Sequence, residues 1–361
     1  MAKKILFVYR TPRRHVLKKW QKGQGPDSLL FGANHLKDLG YKIDFFDNAF
    51  SLFNLFHPLF YPLEHAIIDK VGMGFKLDQA LFLLPRLNTY DVIVGTGDSA
   101  GLPLLALKHF GFIKRPIIFM TAGLAGALRG KTETWVGKFY KKILPVADVF
   151  TSYSQVEIDF FEKEMGIKKS KIKYVSLCTD FEYFSQKSTN KKTIISAVGV
   201  ELGRDYKTFF EAVKNLPVKV EIACHPDNIK GLSIPSNVKV NFNILVQEVL
   251  KIYQRSILTV IPCVERYRSS GQVVLLEAAS AGLPIIASEI KGLTTAFDFD
   301  DGKHLLYVKS ENPKDLGKKI KLLLNNPRFA NYIAKNSQQL AKKYSTKNFA
   351  FRLSKFIENL V

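Results

Sequence analysis

The sequence has little cysteine and a shortage of acidic side chains. Its three cysteines, Cys178, Cys224 and Cys263, are far apart among 361 residues and match no metal-ligand spacing. We therefore expect reduced, mostly buried thiols, as in a cytosolic protein, and predict neither a disulfide framework nor a structural metal site. Only 32 acidic residues stand against 53 lysines and arginines, which leaves a formal net charge of +21. Such an excess predicts an anionic partner: nucleotide phosphates, nucleic acid or an acidic membrane surface.

Long apolar runs are also missing. No stretch approaches the roughly 20 apolar residues that a membrane-spanning helix needs. The apolar run at 5–9, behind the N-terminal MAKK, is too short for the hydrophobic segment of a signal peptide. We therefore expect a cytoplasmic protein that is soluble or lies on the inner face of the membrane without crossing it.

Short apolar runs do occur, and they alternate with helical patterns along most of the chain. Continuous apolar runs separated by helices are typical of a parallel sheet with both faces covered. The alternation restarts at 193, behind the polar segment 180–192, which predicts a linker between two doubly wound α/β domains. The expected strands are 4–9, 42–47, 91–96, 116–121, 149–154, 173–178, 193–198, 218–224, 237–243, 257–262, 284–288 and 305–309.

The phenylalanine-rich segment FSLFNLFHPLFYPL (50–63) breaks this pattern. Pro58 and Pro62 are expected to prevent one continuous helix here. Two interpretations remain open: a packed insertion in the first domain, or an apolar surface for a membrane or a lipid substrate.

A polar helix start precedes an apolar helix in RYRSSGQVVLLEAASAGLP (266–284). Gly282 and Pro284 predict the end of this helix, and its start is expected near Ser270 or Gly271. A helix start offers free N–H groups and partial positive charge, and glycine lets the backbone approach a ligand closely. The stretch therefore predicts a phosphate site.

Glu277 lies in the middle of this helix. It shares a face with the apolar Val273 and Val274, so we expect it to be largely buried and to need partners. One interpretation is a structural glutamate bonded to backbone or to a basic side chain. The other is an acceptor for ribose hydroxyls, since Ser270 lies seven residues before it, close to two turns away on nearly the same face.

Two stretches here resemble the donor-binding core of GT-B fold glycosyltransferases of the retaining family 4 type: SSGQVVLLEAASAGLPIIASEIKGL (269–293) and DDGKHLLYV (300–308). Members carry two glutamates eight positions apart, and Glu277 matches the second. Ser269 stands at the first position, a departure that leaves the donor sugar and the catalytic competence open. The resemblance implies donor contacts from Ser269, Ser270, Gly271, Gln272 and Glu277.

A further stretch, SAVGVELGRDYKTFFEAV (196–213), resembles the opening strand and helix of the same donor domain. There a strand ending in glycine, here Gly199, precedes basic residues that hold the donor diphosphate, here Arg204 and Lys207. Fixed cations stabilise the negative charge of a leaving nucleoside diphosphate. The implied catalytic residues are therefore Arg204, Lys207 and Glu277, with no metal. The competing interpretation is a solvated turn at 204–205.

The first half resembles the family only in architecture and is implied to bind the acceptor. Its basic loop 11–27 contains Gly23 and Gly25, which family members place near the donor phosphates. A solvated or membrane-facing loop is the alternative.

GTGDSAG (95–101) formally fits a dinucleotide-binding fingerprint. The strand after it ends without the acidic residue that would hold a ribose, so we reject that interpretation. Asp98 is instead expected to cap a helix, with a position lining an interdomain cleft as the alternative. Family members often have a histidine near the reacting sugar after the fourth strand. The candidates at that place here are Thr121, Ala122 and Gly123.

The resemblance also implies the domain arrangement. Two Rossmann-like domains are expected to face each other across a cleft. The acceptor-binding domain is expected at 1–182 and the donor-binding domain at 190–345. The helical periodicity of the closing segment, together with the resemblance, implies that 346–361 crosses back to the first domain.

The predicted function is transfer of a sugar from a nucleotide-diphosphate sugar to an acceptor, with retention of the anomeric configuration. No cofactor is expected beyond this co-substrate. The acceptor is expected to be a membrane-associated, lipid-linked glycan, and an anionic membrane surface is a further candidate partner. A non-catalytic nucleotide-sugar or glycan-binding protein is the main alternative, and an epimerase of the same fold is another. Nucleic acid is not expected, because no reader motif accompanies the charge.

Overall fold

A computed structural model describes residues 2–46, 57–189, 191–266 and 270–361. The chain forms two compact units. The first comprises Met1–Gln21, Leu29–Ser176 and Lys347–Val361, and the second comprises Lys22–Ser28 and Leu177–Thr346. The chain therefore changes unit several times.

The first unit contains a parallel sheet of six described strands in the order β2-β1-β3-β4-β5-β6. Every residue of its two middle strands, β3 and β4, is buried, which explains why these strands are continuous apolar runs. The elements up to the end of the sheet are β1 (Lys4–Tyr9), α1 (Arg14–Gln21), β2 (Lys42–Phe46), α2 (His57–Val71), α3 (Leu77–Leu87), β3 (Val92–Thr96), α4 (Asp98–His109), β4 (Ile117–Met120), α5 (Leu124–Leu128), α6 (Trp135–Ile143), β5 (Val149–Ser152), α7 (Gln155–Met165) and β6 (Ile172–Tyr174).

The glycines of GTGDSAG serve helix–sheet packing in this unit. A Cβ on Gly95 would lie 2.8 Å from the Cα of Gly101, and a Cβ on Gly101 would overlap the ring of Phe119 in β4. α4 can therefore approach β3 and β4 only because both positions lack side chains. This packing accounts for the fingerprint-like spacing without a dinucleotide.

The second unit repeats the architecture with a parallel sheet of six described strands in the order β12-β11-β10-β7-β8-β9. Two hydrophobic clusters fill it. Its elements are α8 (Phe181–Phe184), β7 (Ile194–Gly199), α9 (Tyr206–Val213), β8 (Lys219–Cys224), β9 (Val238–Phe242), α10 (Val246–Arg255), β10 (Ser256–Ile261), α11 (Gln272–Ser280), β11 (Ile285–Ser288), α12 (Lys291–Thr294), β12 (Leu306–Val308), α13 (Pro313–Asn325) and α14 (Pro327–Ala341). The predicted α/β class with two doubly wound units is confirmed.

The closing helix α15 (Thr346–Glu358) returns to the first unit, as the resemblance implied. Its backbone comes so close to the first unit that a Cβ on Gly32 would lie 2.8 Å from the amide nitrogen of Ala350. The buried Phe349 and Leu353 fix this helix by their apolar side chains.

The change of unit lies between Ser176 and Leu177, before the polar segment 180–192. Phe181, Tyr183 and Phe184 of α8 are buried in the core of the second unit. The start of that segment is therefore part of the second unit, because its aromatic side chains pack there.

The phenylalanine-rich segment is described only from His57 onward, and its residues 50–56 lie outside the described part. His57 to Leu63 lie in α2, so the expectation that the prolines prevent a continuous helix is wrong for this part. Pro58 falls in the first turn, where N–H groups have no helical partner, and Pro62 removes a single backbone hydrogen bond. No helix within the described ranges combines the length and apolarity needed to cross a bilayer.

Candidate functional site

The helix start predicted at Ser270 or Gly271 is present in the second unit. α11 begins at Gln272, and Gly271 caps it with φ of +80°, a left-handed conformation that favours glycine. Gly282, with φ of +67°, ends the helix as predicted. The first backbone N–H groups of α11 therefore have no partner within the helix.

A buried arginine lies against this helix start. The side chain of Arg204 is only 2% exposed. Its Nη1 donates to the Cys263 sulfur at 3.0 Å, and its Nη2 lies 3.6 Å from Oε2 of Glu201. A solvated turn at 204–205 is thereby excluded, since Asp205 is also buried and caps α9 by accepting from the amide of Thr208.

Two glycines make room for this guanidinium. A Cβ on Gly199, at the end of β7, would overlap Nε of Arg204. A Cβ on Gly271 would lie 3.3 Å from Nη1 of Arg204 and 3.3 Å from the sulfur of Cys263. The structure thus brings together Gly199, Arg204 and Gly271, which were predicted from two separate stretches of the sequence.

Two polar atoms at this place are buried without a hydrogen-bond partner among the described residues: Nε of Arg204 and Oγ of Ser270. Buried polar groups are nearly always satisfied, so these two atoms are open to a partner such as a ligand or water. A donor N–H and a hydroxyl beside a helix start suit an anion such as phosphate.

A neighbouring carboxylate already contacts part of this site. Oε2 of Glu201 accepts from the Gly271 amide at 3.4 Å and faces Arg204. Glu201 was not among the predicted site residues. Its oxygens contact a backbone amide and a guanidinium, which are also donors that bind phosphate.

Glu277 is only partly exposed and receives a hydrogen bond from the buried Tyr253 hydroxyl at 3.4 Å. Burial raises the pKa of Glu277 to about 8, against the opposing effects of the Tyr253 hydrogen bond and the Arg204 charge. The carboxyl is therefore harder to ionise than an ordinary glutamate. The reason given for its burial was wrong: Val273, on the same face, is 41% exposed, and the core side of α11 is formed by residues such as Leu275 and Leu276.

Three further residues of the second unit were predicted to belong to the site: Lys207, Gln272 and Ser269. Lys207 is exposed on the first turn of α9. The Gln272 side chain donates to the Gly292 carbonyl at 2.9 Å and so ties α11 to α12. Ser269 lies outside the described residues.

The loop with Gly23 and Gly25 belongs to the second unit, although the sequence interpretation assigned it to the first. The Gln247 side chain of α10 donates to the Gln24 carbonyl at 2.7 Å. Gly23 has φ of +66°, and a Cβ at this position would meet nothing within 4 Å. Its role is therefore to allow a turn rather than a close packing contact.

In the first unit, Asp98, Thr121 and Ala122 form one cluster. The hydroxyl of Thr121 donates to Oδ1 of Asp98 at 2.7 Å, and the Ala122 amide donates to Oδ2 at 3.1 Å. The capping role expected for Asp98 is wrong: the N-cap of α4 is Gly97, and the carboxylate instead links α4 to the end of β4. Gly123 follows as the N-cap of α5.

A histidine–aspartate pair lies on neighbouring helices of this unit. Nδ1 of His57 lies 2.7 Å from Oδ2 of the buried Asp78. The next residue, Gln79, donates through its side chain to the carbonyl of Tyr9, the last residue of β1. No sequence motif joins His57 to Asp78 across twenty-one positions, so sequence reasoning missed this pair.

Within the described ranges, no group of three or more His, Cys, Asp or Glu side chains is arranged to hold a metal ion. Positive charge at the start of α11 comes from Arg204 and from the helix start itself.

Comparison with known proteins decides the class of enzyme. Residues 206–326 match the family described as "Glycosyl transferases group 1". A Campylobacter jejuni relative, N,N'-diacetylbacillosaminyl-diphospho-undecaprenol alpha-1,3-N-acetylgalactosaminyltransferase, is 24% identical over 348 residues, covering 90% of this chain and 88% of the relative. The chain is a glycosyltransferase.

Solved structures show the fold of this glycosyltransferase. HepE of Anabaena in complex with UDP and glucose matches 99% of this chain and 100% of its own, with a TM-score of 0.70 and 13% identity. A glycosyltransferase from Rickettsia africae matches 99% and 98%, with a TM-score of 0.68 and 13% identity. Sucrose-phosphate synthase from Thermosynechococcus elongatus matches 99% of each chain, with a TM-score of 0.69 and 14% identity. The predicted GT-B fold is confirmed.

Proposed function

We propose that this glycosyltransferase moves a sugar from a nucleoside diphosphate sugar to a lipid-linked acceptor, with retention at the anomeric carbon and without a metal. The enzyme would work in the cytoplasm, at the inner face of the membrane. The observation that carries the donor part is the pair of unpartnered buried atoms at the start of α11, Nε of Arg204 and Oγ of Ser270.

The proposed donor site follows from the chemistry of these groups. A diphosphate at the start of α11 would receive hydrogen bonds from Arg204, Ser270 and the first backbone N–H groups of the helix. Glu277, further along the helix, would accept from the ribose hydroxyls. Because residues 199 and 271 have no side chain, the Arg204 guanidinium can pack against the start of α11.

The same groups would stabilise the leaving group. When the bond between the anomeric carbon and the diphosphate oxygen breaks, its electron pair goes to that oxygen. Arg204 and the helix start offer fixed positive charge there, and the exposed Lys207 offers a further cation. Preorganised charge of this kind lowers the barrier because no solvent has to reorganise around the new anion.

The relatives support both substrates. HepE of Anabaena was crystallised with UDP and glucose, in a fold that this chain shares along its length. The Campylobacter jejuni relative is named for a diphospho-undecaprenol acceptor. A uridine nucleotide donor and a polyprenyl diphosphate acceptor are therefore the first substrates to test.

Calorimetric titration with UDP-, GDP- and ADP-sugars tests the donor site. We expect one nucleotide series to bind and Gly271→Ala to weaken it by at least ~10-fold, because the added Cβ would crowd Arg204 and Cys263. Gly231→Ala is the matched control: φ there is +76°, but a Cβ would meet nothing within 4 Å. Equal affinity in both variants would overturn the proposed donor site.

Transfer of a labelled sugar to a polyprenyl-diphosphate-linked saccharide tests the reaction. The anomeric proton coupling of the product, measured by NMR, shows whether configuration is retained. Donor binding with neither transfer nor donor hydrolysis would instead establish the alternative, a non-catalytic nucleotide-sugar-binding protein.

A further inference from the structure

The helix α2 in the first unit is unusually exposed for an apolar helix. Of its fifteen described residues, only Glu64, Ile67 and Val71 are buried. The exposed side includes Leu59, at 74% exposure, and Leu63. Among the described residues, that side of α2 is therefore left in solvent, which is unusual for large apolar side chains.

An apolar groove adjoins α2. Its volume is about 410 Å³, and the described residues that line it are all apolar. They come from the helices α2, α3, α4 and α6 and from the segments before α3 and after α4, and include Leu63, Phe75, Leu77, Phe110, Trp135 and Phe139. A groove of this size without polar side chains suits hydrocarbon and offers nothing that would orient a sugar or a nucleotide.

Large aromatic side chains stand at the rim of the groove. Phe110 is 64% exposed and Trp135 is 48% exposed, although both line the groove. Phe112, two residues after Phe110, is also exposed. Exposed tryptophan and phenylalanine beside an apolar surface are typical of proteins that enter the interfacial region of a bilayer.

The charge around this surface is strongly positive. Residues 101–148, which carry Phe110, Phe112 and Trp135, contain eight lysines and arginines and two acidic residues. The acidic residues, Glu133 and Asp148, pair with Lys141 and Lys108, which leaves six basic residues. Lys114, Lys138 and Lys142 are exposed. Basic side chains beside apolar ones complement an anionic lipid headgroup layer.

We propose that this face, made of the exposed side of α2, the groove, Phe110, Phe112 and Trp135, docks the enzyme onto an anionic lipid bilayer. The aromatic side chains enter the interface, a lipid hydrocarbon chain lies in the groove, and the lysines face the headgroups. The proposed lipid-linked acceptor explains why docking would be useful, and to that extent the proposal rests on the proposed function. Vesicle binding itself can be measured without any reaction.

One part of the groove lies next to residues that contact the end of β1. Phe75 and Leu77 line it, while the adjoining Asp78 and Gln79 bond to His57 and to the end of β1. Ligands of parallel α/β sheets bind at the carboxyl ends of the strands. A lipid chain that ends at Phe75 and Leu77 would bring its polar head toward that edge.

Sedimentation with vesicles tests the docking. Vesicles of phosphatidylcholine with about one third phosphatidylglycerol should bind the enzyme at least ~10-fold more strongly than pure phosphatidylcholine, and the difference should shrink as salt rises. The double variant Phe110→Ser, Trp135→Ser should reduce partition by at least ~10-fold, because two large apolar side chains no longer leave water. Both positions are exposed, so the variant is expected to fold.

Matched controls come from exposed residues elsewhere. Phe351→Ser removes an aromatic side chain of 53% exposure from α15 and should leave vesicle binding unchanged. Replacing Lys114, Lys138 and Lys142 by glutamine should weaken binding to anionic vesicles. Replacing the exposed Lys314, Lys318 and Lys321 of α13 in the same way should have a much smaller effect.

The insertion can be observed directly through Trp135. The chain has two tryptophans, so a Trp20→Phe variant reports from Trp135 alone. Its emission should shift to the blue on addition of anionic vesicles, and lipids brominated on their chains should quench it. An unchanged spectrum in the presence of bound vesicles would overturn the proposal, as would equal binding by the aromatic double variant.

Two further measurements separate the possible failures. Transfer by the wild-type enzyme to a water-soluble, short-chain acceptor does not require docking, so vesicle binding without any such transfer would count against the proposed function alone. If the lipid-free protein sediments as a dimer that Phe110→Ser dissociates, the face covers a second copy of the chain and the lipid proposal is wrong.

Discussion

The two units carry comparable sheets but treat their polar groups differently. At the start of α11 in the second unit, Nε of Arg204 and Oγ of Ser270 are buried and unpartnered among the described residues. At the carboxyl edge of the first unit, Asp98 is bonded to Thr121 and Ala122. The start of α11 thus offers donors to a small anion, whereas Asp98, Thr121 and Ala122 satisfy one another.

The surfaces of the two units also differ in composition. The first unit exposes apolar helix α2 and an apolar groove, and its residues 101–148 are strongly basic. A surface of that composition suits a large amphipathic partner, whereas the second unit presents a compact polar site. Variants in each unit should therefore affect different measurements.

The largest effect is expected from Arg204→Gln. The substitution removes a buried cation from the proposed diphosphate site, and charge-assisted hydrogen bonds of this kind are worth about 2–3 kcal/mol. Nucleotide affinity measured by calorimetry should fall by roughly 100-fold. Arg255→Gln, which breaks the half-exposed ion pair with Glu221 in the same unit, should leave nucleotide affinity unchanged. Unaltered affinity in Arg204→Gln would place the anion elsewhere.

Asp98→Ala, in the first unit, should lower the stability of the protein and leave nucleotide affinity nearly unchanged. It leaves the buried Thr121 hydroxyl and the Ala122 amide without their acceptor, which costs about 1–3 kcal/mol in the free energy of unfolding. Chemical denaturation should show this loss, while nucleotide affinity stays within about two-fold. A large loss of nucleotide affinity would break the contrast between the units.

Glu277→Gln should change how stability depends on pH. The pKa of Glu277 is raised to about 8 in the folded protein, from an ordinary value of 4.5. Between these values the folded protein keeps a proton that the unfolded chain loses, so this contribution to stability is complete below pH 4.5 and is lost as pH rises through 8. Glutamine cannot ionise. Relative to the wild type, the variant's melting temperature should therefore rise by a few degrees between pH 5 and pH 9.

The same carboxyl provides a binding test. Ribose hydroxyls that donate to Glu277 favour its ionised form, so binding of a nucleotide sugar should release a proton near pH 7. Titrations in buffers of different ionisation enthalpy would detect this proton, and Glu277→Gln should abolish it. If release is the same in the variant, the ribose does not bind to Glu277.

The smallest effect is expected from Glu201→Gln. The Glu201 carboxylate accepts from the Gly271 amide and faces Arg204, so its negative charge opposes a diphosphate at the same place. Neutralising it should strengthen nucleotide binding by about three- to ten-fold, since exposed charges contribute about 1 kcal/mol. Glu211→Gln, in the exposed pair with Lys214, is the control. Weaker binding in Glu201→Gln would show that Glu201 assists the ligand.

Sequence patterns predicted the site of the second unit better than that of the first. The stretches around Arg204 and Gly271 contain local signals: a strand ending in glycine, a basic residue behind it, and a helix start with glycine. The pair His57 and Asp78 has no local signal, because the two residues meet through the packing of α2 beside α3. Asp98 was expected to cap its own helix, whereas its partners lie more than twenty positions away.

The strands were predictable because a strand buried on both faces must be a continuous apolar run, and this requirement acts on neighbouring residues. The end of α11 followed from a similarly local requirement for glycine. The sequence by itself thus determined the two α/β units, their strands and the helix start.

Only the tertiary structure decided what these elements do together. It turned Arg204 inward between Gly199 and Gly271, brought the loop at 22–28 into the second unit, and left one side of α2 beside an apolar groove in solvent. Each outcome depends on contacts between residues far apart in the chain, and the packing that decides them leaves no periodic pattern in the sequence.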